Sequence, residues 1–170
     1  MSRIISLGAQ TIPDSHGDST VEVKLDFDSG VSVSASVPQG RSRGSFEVRC
    51  VDAEEAVRKI KDKVSPALKN KEFNSQEELD GFLIGFDGTF LKANLGANTI
   101  LGVSLAYARA TALEKKIPLW QYIRELVADK SIRSFKAPRL LVNIIGGGLH
   151  AKNNHDFQEY LIIPKTAKAE

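Results

Sequence analysis

The sequence predicts an α+β fold: a three-stranded antiparallel meander followed by a helical bundle, with a second strand-forming region opening near residue 138. Three observations lead there. Apolar residues recur at every second position early in the chain, at helical spacing through its middle, and in an unbroken run near its end. Those patterns belong to half-buried strands, amphipathic helices and strands covered on both faces, respectively. Strands grouped ahead of helices, rather than alternating with them, indicate α+β.

Val21, Val23, Leu25 and Phe27 alternate with Thr20, Glu22, Lys24 and Asp26, and the alternation resumes at Val31, Val33, Ala35 and Val37 after Asp28-Ser29-Gly30. This is a hairpin with one buried face, and an earlier strand over residues 3 to 10 completes the meander. Asp52 with Glu55 reads as a capping pair for a helix whose face is Ala53, Ala56, Val57, Ile60 and Val64, and Pro66 breaks that run. Ser75 with Glu78 opens a second helix, striped by Leu79, Phe82, Leu83 and Phe86 and ended by Asp87-Gly88.

The stretch from Asn98 to Lys116 carries Ile100, Leu101, Val103, Leu105, Ala106, Ala108, Ala110 and Ala112. It leaves no wide polar face before its C-terminal end, so this helix is expected at the centre of the bundle. Pro118 suits the first turn of a last helix, with Leu119, Tyr122, Ile123 and Leu126 on its apolar side. Asp129 to Arg139 reads as a basic linker. Beyond it Leu140 to Ile145 forms a continuous apolar strand, and the run FQEYLII from Phe157 can pair with it. The expected domains are therefore 1–137 and 138–170. Two such strands with no helix after them in the sequence leave edges and an apolar face to be covered.

Composition narrows the function classes. Of 170 residues 42% are hydrophobic and 26% charged, as in a globular protein. A net charge of +2, from 23 basic and 21 acidic residues, gives no field to attract nucleic acid or anionic lipid. No zinc-type Cys/His spacing occurs and no apolar run is long enough to span a membrane. The single Cys50 cannot form an internal disulfide, and MSRIISLGAQTIPDS lacks the apolar block of a secretory leader, so a cytoplasmic setting is expected.

Five stretches then carry a likeness: DSHGDSTVEV (14 to 23), VPQGRSRGSFE (37 to 47), LGANTILGVSLAYARA (95 to 110), IPLWQYI (117 to 123) and NIIGGGLHAKNNHDFQEYLIIP (143 to 164). Together and in this order they resemble the N-terminal portion of the enolase family. The resemblance implies a small capping domain, a meander plus helices, packed against an eight-stranded α/β barrel. Such barrels take about 250 residues, so only the first two strands of a truncated barrel are expected here.

The activity implied is the phosphopyruvate hydratase reaction of glycolysis, a lyase reaction converting 2-phosphoglycerate to phosphoenolpyruvate and water. In this superfamily one or two Mg²⁺ ions neutralise the charge of the intermediate, a Lys or His acts as base, and the hydroxide leaves with help from a general acid. By the resemblance Glu159 stands on the hydroxyl-leaving side, with His150 and Gln158 beside the substrate. Ser42 sits on a lid loop between Gly40 and Gly44 and is the one metal ligand expected, to the second Mg²⁺.

By spacing alone, Glu159 reads as an outward strand carboxylate, His150 as a turn residue and the Ser42 loop as an exposed hairpin connection. His155 reads as a solvated loop residue and Glu47 as structural. The sequence departs from the family at His16, Arg41, Arg43, Gly146 and Leu149, and lacks the acidic run expected shortly after Glu47. The family's lysine base, three metal-binding carboxylates and phosphate-binding arginine map to no residue here. The expectation is that this chain alone is inactive and acts with a barrel-containing partner chain or as a homodimer. The alternative is a non-catalytic enolase-like module for dimerisation or partner binding.

Overall fold

A computed structural model describes residues 2–38, 40, 44, 46–127, 138–148, 151–152 and 155–165. The chain divides into two compact units, Met1–Ala128 and Asp129–Glu170. The boundary expected after residue 137 falls beside a stretch outside the described residues.

In the first unit β1 (Ile4–Pro13), β2 (Ser19–Phe27) and β3 (Ser32–Val37) form an antiparallel sheet in that order. Strand β1 runs three residues past its expected end, because it keeps pairing with β2 as far as Pro13 opposite Ser19. The alternation behaves as read: Val21, Val23, Leu25, Phe27, Ala35 and Val37 are buried. Thr20 is buried too, its hydroxyl donating to the Val37 carbonyl. At the β2–β3 turn Gly30 has φ +86° and donates to the Phe27 carbonyl at 3.0 Å, while Phe27 N–H donates to Val31 at 2.9 Å. The left-handed residue after the turn is what places Gly there.

The helical segments after the sheet depart from or refine the expectations. Helix α1 (Ala53–Lys59) has Asp52 at its N-cap, but without a side-chain capping bond. Glu55 instead pairs with Lys59 at 2.7 Å, the i,i+4 neighbour on its own face. Pro66 does not break the run. The helix widens into a π-helical stretch, Ile60–Val64, where Ser65 N–H reaches back five residues to Ile60, and continues as α2 (Ser65–Leu68). That wide turn absorbs a residue whose ring and missing N–H would interrupt a regular helix. It also keeps Ile60, Val64 and Leu68 in one fully buried stripe.

Helix α3 (Gln76–Asp87) is capped as expected: Ser75 Oγ accepts Glu78 N–H at 3.1 Å, and the Glu78 carboxylate accepts Asn74 N–H at 2.7 Å. Leu79 and Leu83 are buried. Phe86 is not, but stacks at the surface on Phe82, 5.9 Å between centroids.

Helix α4 (Ala97–Glu114) lies across the sheet and touches α1, α3 and α5 (Leu119–Val127). Its sheet-facing stripe is small: Gly102, Ala106 and Ala110, all buried. A Cβ on Gly102 would stand 2.7 Å from a Val23 methyl, so the glycine sets how closely helix and sheet approach. Tyr107 closes the core edge-on to Phe27 and Phe73 and donates its hydroxyl to the Phe73 carbonyl at 2.9 Å. Leu101 and Leu105 reach the surface on the other side, so α4 is central without being wrapped all round. Of the apolar side expected for α5, Tyr122 alone is buried, against Ala108 and Ala112; Ile123 and Leu126 are exposed, since α5 docks mainly along α4.

The second unit is a two-stranded antiparallel sheet, β4 (Val142–Gly146) with β5 (Glu159–Ile162). Asn143 faces Leu161, Gly146 faces Glu159, and the register slips between Asn143 and Ile145. Among its described residues no apolar side chain is buried, so the cover expected for an all-apolar strand is not supplied within them.

Candidate functional site

The residues singled out lie on two connections. The first is the turn that leaves β4. Gly147 N–H donates to the Gln158 carbonyl at 2.7 Å and Gly148 N–H to that of His155 at 2.9 Å. A Cβ on Gly147 would collide with the Phe157 carbonyl and come within 2.9 Å of the His155 Cβ, while Gly148 has φ +61°. Two of the three glycines are thus fixed by backbone geometry: one by close approach, one by a left-handed turn. Gly146 has open space at its Cβ position, so a larger residue fits there.

This turn holds Gln158 and Glu159 at the start of β5, Glu159 paired with Gly146 and both exposed. His155 is exposed as expected, but its ring stands edge-on to Tyr160 at 5.6 Å, and Phe157 meets the same ring at 6.1 Å. The tyrosine thereby ties the return of the loop to β5. His150 and Leu149 lie outside the described residues.

The second connection leaves β3. Gly40 and Gly44 are exposed, and Ser42, Arg41 and Arg43 lie outside the described residues. Gly44 N–H donates to the Glu47 carboxylate at 3.0 Å, and Glu47 N–H returns to the Gly44 carbonyl at 3.2 Å. Glu47 is therefore a turn-closing group. A cleft of about 170 Å³ opens beside it, lined by Pro38, Gly40, Glu47, Cys50 and Leu101 among others.

His16 sits in a turn organised by Asp14, whose carboxylate accepts N–H from His16 at 2.7 Å and from Asp18 at 3.0 Å. The bond from His16 is the main cause that holds the Asp14 carboxyl below its ordinary value. Gly17, at φ +86°, completes the turn. The stretch DSHGD is thus a backbone device between β1 and β2.

Two residues escaped the sequence reading. Asp87, read only as a helix end, is 1% exposed and accepts from Thr89 Oγ at 2.5 Å, Leu95 N–H at 2.6 Å and Thr89 N–H at 3.0 Å. Burial pushes its carboxyl up, but these bonds outweigh that and leave it below the ordinary value. Asn98, quoted within LGANT, is buried and bonded to the backbone of Val51. The signal for both was a short polar side chain at the edge of an apolar helix, which needs a partner if buried.

Among the described residues no three His, Cys, Asp or Glu side chains converge as a metal site, and Ser42, the one metal ligand expected, lies outside those residues. No described helix is long and apolar enough to cross a membrane.

Comparison with known proteins bears on the whole chain. The family model for "Enolase, N-terminal domain" matches residues 4–123. The curated enolase of Metamycoplasma arthritidis (strain 158L3-1) is 38% identical over 183 aligned positions, covering 99% of this chain. The chain spans 39% of that relative's length.

Proposed function

This chain belongs to the enolase family, and on that premise we propose that it contributes one side of an active site converting 2-phosphoglycerate to phosphoenolpyruvate and water. One observation carries the reading: the similarity to an enolase extends over 99% of the chain, past the matched domain at 4–123 and through the stretch that holds Gln158 and Glu159.

In this reading Glu159 is the general acid side of the elimination. A base outside these residues takes the proton from the carbon bearing the phosphate. The neighbouring C–O bond then breaks, and Glu159 delivers the proton with which hydroxide leaves as water. His150 and Gln158 hold the substrate. Ser42, on the lid loop between Gly40 and Gly44, is the chain's own ligand toward magnesium. The remaining magnesium ligands, the base and the phosphate-binding arginine come from outside these residues.

Strands β4 and β5, after a boundary near residues 137 and 138, are the first strands of a barrel. Their exposed Val142, Ile144, Leu161 and Ile162 are suited to a barrel wall. Homodimerisation and a cytoplasmic setting belong to the same reading.

The test is substitution in the assembled enzyme. Glu159→Gln lowers turnover about 10²–10⁴-fold, the usual worth of a positioned acid, and Ser42→Ala lowers it as well. A non-catalytic module would lose nothing with both replaced, and an assembled enzyme that turns over unchanged in that state refutes the catalytic reading. The chain by itself turns over no 2-phosphoglycerate.

A further inference from the structure

We infer that Asn98 is a positioning residue that fixes the segment Arg49–Val51, and with it the downstream attachment of the connection that carries Gly40 and Gly44. The inference rests on the reading that this connection belongs to the catalytic site.

Asn98 stands in the first turn of α4 at 7% exposure. Its amide treats Val51 as a neighbouring strand would: Oδ1 accepts the Val51 N–H at 3.1 Å and Nδ2 donates to the Val51 carbonyl at 2.8 Å. Beside it, Ala97 N–H donates to the Arg49 carbonyl at 2.8 Å, and Arg49 N–H donates to the Leu91 carbonyl at 3.4 Å. The segment is thus held between the start of α4 and the loop that precedes it. Gly96, at φ +94°, lets the two come together, since a Cβ there would lie 2.7 Å from a Val51 methyl. That loop is in turn pinned by Asp87 through Thr89 and Leu95 and by Asn94 Nδ2, which donates to the Asp87 carbonyl at 2.7 Å.

An amide alone serves both Val51 groups. A carboxylate would set like charge against the Val51 carbonyl, and an apolar side chain would leave a partly buried donor and acceptor unmatched. The grip of α4 on the sheet runs through Gly102, Ala106 and Ala110 instead. Asn98 is therefore separable from the core: its work is done on the Val51 side.

Amide hydrogen exchange on the 170-residue chain tests this. In Asn98→Ala the Val51 amide exchanges roughly tenfold faster or more, as expected when a partly buried backbone pair loses its partner. The rate stays flat in urea below the unfolding transition, the mark of local opening, while amides of Leu83 and Ala106 follow global stability. Asn98→Ser, too short to span both groups, carries the same expectation if the alanine variant does not fold. Unchanged Val51 exchange, or a rise only in step with the core amides, overturns the inference.

In the completed enzyme Asn98→Ala raises KM more than it lowers kcat. An active wild type whose kcat and KM survive the substitution, despite faster Val51 exchange, overturns the positioning role. A wild type that never turns over with its barrel defeats the functional reading and leaves the exchange result standing.

Discussion

Leu83 and Ile145 are both branched apolar residues in the middle of regular elements, yet Leu83 is fully buried and Ile145 remains 42% exposed. The difference belongs to their units. In the first, a sheet face, three helical stripes and Tyr107 close on one another, so Val21, Val23, Leu25, Phe27, Ile60, Val64, Leu79 and Leu83 pack into one buried core. In the second, two paired strands satisfy each other's backbone but bury no described apolar side chain. Backbone pairing and core formation are separate achievements, and an isolated two-stranded sheet manages the first while remaining marginal in water.

The sharpest way to break this comparison is to cut the chain between the units. Residues 1–128 are expected to unfold cooperatively with the midpoint they have in the full chain, whereas a peptide of residues 129–170 shows no cooperative transition by circular dichroism. A smaller effect follows from equal truncations. Leu83→Ala costs about 2–5 kcal/mol of stability by urea denaturation, and Ile145→Ala stays within about 0.5 kcal/mol, as surface changes do.

Asp87→Ala, which strands the amides of Thr89 and Leu95, costs about 1–3 kcal/mol. Its sign with pH is fixed by a native carboxyl held below the ordinary 3.8. The contribution is present above that value and disappears as pH falls through the lowered native one. Asp87→Asn therefore flattens the acid limb of the stability profile without shifting its neutral plateau upward. Last comes a pair of glycine replacements, of which the second has the smallest effect. Gly102→Ala, crowding Val23, costs about 1–3 kcal/mol by overpacking. Gly146→Ala, with nothing within 4 Å of the new methyl, is neutral.

Sequence reading reached what local periodicity determines. The β2–β3 hairpin, the Ser75 cap and the course of α4 each depend on residues a few positions apart. Pro66 was misread because the π-helical turn that tolerates it is selected by the buried stripe of Ile60, Val64 and Leu68, a tertiary demand. Asp52 lost its capping partner because Glu55 had a nearer cation in Lys59. Asn98 stayed silent since its partner, Val51, lies 47 residues away. Of the candidate site, Gln158 and Glu159 were legible only through resemblance, because an exposed strand carboxylate carries no chemistry in its spacing. The glycine run beside them was legible as a turn, and its cause, the approach of Phe157 and His155, needed the fold.

The account stands or falls on catalysis by complementation. Purified chain is mixed with a polypeptide supplying the rest of an enolase barrel, and phosphoenolpyruvate formation from 2-phosphoglycerate is followed. The account predicts no product from either component, turnover from the mixture, and its loss when Glu159 is replaced by Gln. Product from the chain alone, or a turning-over mixture indifferent to Glu159, contradicts it.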